Sequence, residues 1–373
     1  MKIVKMEILR LNLPMISSFE TSFGRITAKE TVITKLFSDD GLVGYGESAS
    51  FHAPIYNHET VDSCFLVQEK FIAPKVVGKT FNNPEEFCSV YNNIIGNKIA
   101  QTGPECAFWH LVAQRNNKSL SELVGGVKTE VPVGESIGIK ATIKETLEEI
   151  NQRLEEGYVR IKVKIKPGWD VEVLRAIRKQ FPDIDLTADG NSAYNLNDHL
   201  EILRSLDEFN LSMLEQPLAA DDIIDHATLQ KEIQTPICLD ESIESAEDAR
   251  KAIQLGACKI INIKPGRVGG LVESIKIHDL AAKHGIPVWC GGLLETGIGR
   301  AFNIALASKT NYQLPNDISP YQYFYKEDLV DPSYAVKPNG HIDVPKEPGL
   351  GFTINEDRIK KYTTQSSVIS ATT

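Results

Sequence analysis

Residues 160–166 read Arg160-Ile161-Lys162-Val163-Lys164-Ile165-Lys166. A strand sends alternate side chains to opposite faces, so Ile161, Val163 and Ile165 share one face and three lysines share the other. Around this stretch short apolar runs alternate with segments of helical period. The runs are VPVGESIGI (131–139), IDLTADG (184–190), LSMLEQP (211–217), PICLDES (236–242), IINIKPG (260–266) and PVWCGG (287–292). Thr142-Ile143-Lys144-Glu145 has a capping-box pattern, with Leu147, Ile150 and Leu154 following at helical spacing. Ser245 can cap a helix that carries Ala249 and Ile253 and stops at Gly256. Repeated strand–helix units predict a parallel sheet, and seven or eight of them in about 180–200 residues predict a (β/α) barrel. There the apolar face of 160–166 meets the helices and the lysines point into the lumen, where ammonium groups need an anionic answer. On an exposed edge strand the same alternation would carry no such meaning.

Barrel enzymes place their chemistry at the C-terminal ends of the strands. Lys164, Asp189, Glu215, Asp240 and Lys264 close five consecutive runs at intervals of 25, 26, 25 and 24 residues. Each interval is one strand–helix unit, so the five charges converge on one mouth. Loop polarity alone explains one or two such positions, not five in register. Asp189, Glu215 and Asp240 form a hard-oxygen set suited to Mg²⁺, and no Cys or His at equivalent positions favours zinc. Without a cation, three crowded carboxylates repel one another. Removing a proton α to a carboxylate creates a second negative charge, which calls for a divalent cation and a base beside the carbon. The like-charged neighbour Lys162 is expected to lower an ammonium pKa and make Lys164 a base near neutral pH. Lys264 comes from across the barrel and can act on the opposite face.

The composition fits this picture. The chain has 373 residues, 42% hydrophobic and 24% charged, with a net charge of −10. These are globular proportions with length for a large core. No run of 18 apolar residues predicts a membrane span, and MKIVKMEILRLNLP alternates like a strand, not a signal peptide. The acidic balance, without a Lys/Arg block, argues against nucleic acid. Six dispersed cysteines without metal spacing read as buried thiols of a cytoplasmic protein. Residues 1–125 read as an α+β capping domain, with strands at 2–13, 30–38 and 42–47 and a turn at Asp39-Asp40-Gly41. Helices are expected at 59–73, 84–95 and 103–116. The barrel domain is assigned 126–312, and 313–373 completes it and returns to the first domain. A phosphate-binding reading of Gly291-Gly292 leaves the three carboxylates unexplained. The glycines of GRVGG and GIGR lack a dinucleotide-binding setting and read as helix-start turns.

The Lys162/Lys164 pair, Asp189-Gly190-Asn191, Glu215-Gln216-Pro217, Asp240-Glu241-Ser242 and Lys264-Pro265-Gly266-Arg267 together resemble the enolase superfamily, in its muconate-lactonizing-enzyme-like subgroup. Sites of that superfamily use a Lys or His base with Mg²⁺. The likeness spans essentially the whole chain and implies an α/β fold, a (β/α)7β TIM-like barrel with an α+β N-terminal capping domain. RIKVKIKPGWDVE, QTPICLDESI, IINIKPGRVGG, IPVWCGGLLETGIGR and LPNDIS…FYKEDL resemble o-succinylbenzoate synthases that also racemise N-acylamino acids. The resemblance implies dehydration of 2-succinyl-6-hydroxy-2,4-cyclohexadiene-1-carboxylate in menaquinone biosynthesis, with N-succinylamino acid racemisation as a companion activity. A dedicated racemase or dipeptide epimerase is the alternative, and a non-catalytic binding protein on the same barrel a remoter one.

By the same resemblance Lys164 is the principal base, Lys264 the opposing acid/base and Lys162 its tuner. Asp189, Glu215 and Asp240 hold Mg²⁺, for which Mn²⁺ can substitute. Ser136, Asn191 and Gly291 face the small-molecule carboxylate substrate, and Phe19 and Phe51 close over it. Glu241 and Arg267 stand behind the site, Arg267 either beside Lys264 or as a loop arginine. Dipeptide epimerases carry Asp-x-Asp where this chain has Asp317-Ile318-Ser319, which argues against a free α-amine in the substrate. His110 stands where relatives usually carry Asp and is read as structural. A homo-oligomer is expected from the frequency of symmetric assemblies.

Overall fold

The computed structural model describes residues 1–21 and 24–371. The chain opens with three antiparallel strands, β1 (Ile3–Thr21), β2 (Gly24–Ser38) and β3 (Val43–Ser48), the last two joined through the Asp39-Asp40-Gly41 turn. Helices α1 (Val61–Val67), α2 (Ala73–Val76), α3 (Pro84–Ser89), α4 (Lys98–Arg115) and α5 (Leu120–Leu123) follow. A π-helical turn, Gln68–Ile72, joins α1 to α2. Helix α4 begins five residues before the Gly103-Pro104 pair that reads as its start. Pro104 has no N–H for the Ala100 carbonyl, and Gln68 Nε2 supplies the missing donor at 3.0 Å. That repair comes from another helix, so local sequence does not reveal it.

The barrel then runs β4 (Glu130–Pro132), β5 (Glu135–Ile137), α6 (Ile143–Glu155), β6 (Ile161–Lys164), α7 (Val171–Gln180), β7 (Leu186–Asp189), α8 (Leu196–Ser205), β8 (Met213–Glu215), α9 (Ile223–Glu232), β9 (Ile237–Leu239) and α10 (Ala246–Leu255). It continues with β10 (Ile260–Ile263), α11 (Pro265–Val268), α12 (Leu271–Lys283), β11 (Val288–Cys290) and α13 (Gly297–Ala307). Thr142 and Ser245 accept from the backbone N–H groups of Glu145 and Asp248, and Gly256 ends α10 in the left-handed region (φ 69°). Strands β5 to β11 form one parallel sheet in sequence order. Bridges Val288–Tyr312 and Val133–Asn316 close it, so residues 312–316 occupy the eighth position. The result is a (β/α)7β barrel. Ile161, Val163, Leu214, Leu239 and Ile263 face outward into the helical core, while Met213, Cys238, Ile260 and Trp289 fill the lumen floor with Leu314.

The tail forms β12 (Val330–Asp331), β13 (His341–Asp343), β14 (Thr353–Ile354), α14 (Glu356–Tyr362) and β15 (Thr363–Ser370), and β15 pairs with β1. Buried charges hold the N-terminal layer on the barrel. Helix α12 begins at Gly270, which has no side chain to cap it. Glu105 of α4 reaches across and accepts from Val272 N–H at 2.7 Å. A Cβ on Gly270 would lie 1.0 Å from Glu105 Oε2. Glu47 of β3 does the same for α13, accepting from the N–H groups of Thr296 and Gly299, both at 3.0 Å. Carboxylates at helix N-termini satisfy orphan donors and oppose the macrodipole. Lys29 donates to the Leu293 carbonyl at 3.0 Å. All six cysteines are unpaired, five of them buried. Among the described residues no helix is long and apolar enough to cross a membrane.

Candidate active site

Strand alternation puts Arg160, Lys162 and Lys164 on the lumen face of β6, and all three are buried. Lys166, the third lysine of the sequence pattern, lies past the strand in a turn with Trp169 and is half-buried. The five charges at strand ends meet at the barrel mouth, in pairs. Lys164 Nζ donates to Asp189 Oδ2 at 2.6 Å, Lys162 to Glu215 Oε2 at 2.7 Å, and Lys264 to Asp240 Oδ2 at 2.6 Å. Asp189 and Glu215 are register partners on β7 and β8. Among the described residues no three Asp, Glu, His or Cys side chains are gathered to metal-ligand spacing, since each carboxylate is turned to an ammonium.

The electrostatics follow from burial and crowding. Burial, then repulsion from Asp189, pushes the Glu215 carboxyl up to about 8. Burial also works against the charge of Asp240, but Lys264 and then Arg267 outweigh it and hold the group at about 2. Lys162, the like-charged neighbour of Lys164, is itself held charged. Burial opposes its charge, yet Asp317, Glu215 and Asp189 more than compensate and raise it. Asp317 Oδ2 stands 2.7 Å from Lys162 Nζ, and its other oxygen accepts from Arg160 at 2.8 Å. The alternation that singled out the lysines also contains Arg160 and Asn262, and Asn262 Nδ2 donates to Glu215 Oε1 at 2.7 Å. Extending the period by one step would have found both.

A cavity opens over this cluster. Ser136, Asn191 and Phe51 line it with Lys162, Lys164 and Lys264. Ser136 donates to Asp317 Oδ2 at 2.8 Å, and Asn191 to Glu241 Oε1 at 2.9 Å. Gly291 does not line the cavity. It packs beneath the wall, where a Cβ would lie 2.4 Å from the Asn262 amide oxygen, and Gly292 lines the cavity in its place. Phe19 pairs with Ile26 through the backbone of β1, and its side chain lies outside the described residues. Tyr56, absent from the sequence reading, arrives from the segment before α1. It lines the cavity and donates to Asp240 Oδ1 at 3.1 Å. Arg267 proves to be a partner of Asp240, and it also donates to the carbonyls of Ile243 and Asn262. His110 accepts from Tyr45 N–H at 3.1 Å, and burial pushes its imidazole down to about 3.

The donor set suits a hard cation. Asp189, Glu215 and Asp240 offer oxygen only, and all three are fully buried. Glu241 Oε2 is buried beside them without a hydrogen-bond partner. Asn191, Ser192, Gln216 and Leu294 hold left-handed backbone at the mouth (φ 41°, 63°, 35° and 56°). Such residues cost about 1–3 kcal/mol each and persist where surroundings fix them.

A (β/α)7β barrel with lysines and carboxylates at successive strand ends defines an acid/base enzyme acting beside an anionic centre. The chain belongs to the mandelate racemase / muconate lactonizing enzyme family of the enolase superfamily. Residues 4–125 match the profile "Mandelate racemase / muconate lactonizing enzyme, N-terminal domain", and 145–358 match "Enolase C-terminal domain-like". The chain is 46% identical over 362 residues to o-succinylbenzoate synthase of Geobacillus stearothermophilus, covering 97% of this chain and 96% of that one. It is 43% identical over 371 residues to N-succinylamino acid racemase of Thermus thermophilus, covering all of both. The crystal structure of an enolase-superfamily member from Listeria innocua superimposes with a TM-score of 0.95 at 38% identity, covering 99% of each chain.

Proposed function

We propose that this enzyme is an o-succinylbenzoate synthase that also racemises N-succinylamino acids. The observation that carries this reading is the placement of Lys164 and Lys264. They end strands β6 and β10, four positions apart in an eight-position ring, so their ammonium groups enter one cavity from opposite sides. Asp189, Glu215 and Asp240 would hold Mg²⁺, which supplies positive charge for the substrate carboxylate as a second negative charge develops on it.

Lys164 removes the α-proton. In dehydration it returns that proton to the departing hydroxyl while the Lys264 ammonium stabilises the enediolate by its charge. In racemisation Lys264 delivers a proton to the opposite face. Lys162, held charged between Asp317 and Glu215, keeps a positive group beneath the reacting carbon. Asp317 is already committed to Arg160, Lys162 and Ser136, which leaves it no place for a substrate ammonium and favours acylated over free amines. Six unpaired cysteines support a reducing, cytoplasmic setting.

The test is kcat/KM for the cyclohexadiene acid beside that for N-succinyl amino acids, before and after chelation. Turnover of both, lost to chelator and restored by Mg²⁺ or Mn²⁺, is expected. Full activity in metal-free buffer contradicts the assignment of the three carboxylates.

A further inference from the structure

The cavity has a second polar group of walls, built from Glu135, Ser319 and Arg300, with Ile26, Leu294 and Phe324 supplying apolar surface. Four cations line the cavity: Lys162, Lys164, Lys264 and Arg300. The three lysines are committed to the strand-end carboxylates. Arg300 is not. Its Nη1 donates to the Asp317 carbonyl at 2.8 Å and its Nε to the Glu295 carbonyl at 3.4 Å, while Nη2 has no hydrogen-bond partner among the described residues.

The dicarboxylates proposed above place one carboxylate at the strand-end cluster, so the other must be met elsewhere in the same cavity. We propose that the Arg300 guanidinium anchors this distal carboxylate and thereby selects succinyl over uncharged acyl arms. The anchor rests on the proposed substrate class.

Local structure answers this cation only in part, through its ion pair with Glu295. Arg300 sits in the first turn of α13, where the macrodipole disfavours positive charge, and it is 2% exposed. A buried guanidinium needs an anion. Glu295 Oε2 stands 3.4 Å from Nε, a distance beyond a close pair, and Lys29 draws on the same carboxylate. Glu135, the acid facing Arg300 across the cavity wall, accepts from Ser319, and burial pushes it up to about 7, which reduces the negative charge met by an incoming carboxylate. The Phe324 ring centroid lies 5.9 Å from the guanidinium carbon and offers the methylenes of the arm an apolar surface.

The test compares N-succinyl-phenylalanine with N-butyryl-phenylalanine, whose arm has equal length and ends in methyl. Wild type should prefer the succinyl substrate by about 10²-fold in kcat/KM. Arg300→Met should erase the preference, with the loss falling mainly on KM for the succinyl substrate and the butyryl substrate losing far less. Arg300→Lys should restore part of it, because a point donor replaces a planar fork. If Arg300→Met does not fold, a several-fold smaller preference in Arg300→Lys supports the anchor. An unchanged ratio in either active variant, or equal losses on both substrates, overturns it. Failure of the underlying reading looks different: wild type then turns over neither the succinyl substrate nor the cyclohexadiene acid, and the anchor falls with it.

Discussion

The barrel mouth and the seam between the N-terminal layer and the barrel both bury many charges, yet the charges answer to different partners. At the mouth, side-chain charges answer one another: Lys162 lies against Glu215 and Asp317, Lys164 against Asp189, and Lys264 and Arg267 against Asp240. At the seam, charges answer the backbone: Glu47 and Glu105 take helix N–H groups, and Lys29 takes carbonyls. Backbone partners are fixed by the fold and cannot be exchanged. Side-chain partners can be traded for a metal ion or a substrate carboxylate as the reaction needs. Of these two places, the mouth, where buried charges pair with side chains, is where the chemistry sits, and the seam, where they pair with peptide groups, is scaffold.

Substitutions at each place can break that contrast. The largest expected effect is at the mouth. Lys164→Ala should lower kcat for dehydration by about 10²–10⁴-fold, while losing less stability in Mg²⁺ than a seam variant does. A melting temperature that falls as far as the activity does would make the mouth charges scaffold too. Next, Glu105→Ala leaves the Val272 and Trp109 N–H donors unanswered in a buried site. Equilibrium denaturation should show a loss of about 2–4 kcal/mol, with kcat kept in the folded fraction.

His110 sharpens the contrast through pH. Its imidazole is held neutral, with a folded pKa of about 3 against 6.5 unfolded. As pH falls below the unfolded value, the unfolded chain gains a proton that the folded chain refuses, so this contribution to stability is lost on acidification. Relative to His110→Gln, wild type should lose about 2 kcal/mol between roughly pH 7 and pH 5. Equal slopes for the two proteins would contradict a buried neutral imidazole. The smallest effect belongs to Ser245→Ala, which removes one N-cap from α10 and should cost about 1 kcal/mol in the same denaturation assay without touching kcat.

The reacting groups were legible because a barrel repeats. One strand–helix unit has nearly constant length, so Lys164, Asp189, Glu215, Asp240 and Lys264 could be measured off along the chain. Arg160 and Asn262 obeyed the same alternation but were passed over, because neither is a conventional acid/base residue. Tyr56, Arg300 and the role of Asp317 were illegible for a different reason. They reach the cavity from a capping segment, a helix start and a strand reduced to isolated bridges, and no period links those places. What holds Lys162 charged was illegible for the same cause. Asp317, which lies 2.7 Å from its ammonium, is 155 residues away along the chain. The length of α4 turned on Gln68, again a partner supplied by folding.

The central claim is that Lys164 and Lys264 serve opposite faces of one α-carbon. The most direct measurement follows α-hydrogen exchange in D₂O, starting from each enantiomer of an N-succinyl amino acid. Wild type should exchange both. Lys264→Ala should exchange only the enantiomer whose hydrogen faces Lys164, and Lys164→Ala only the other, with racemisation in both variants down by about 10²–10⁴-fold. A single alanine variant that racemises near the wild-type rate, or that exchanges both enantiomers equally, would contradict the two-faced site.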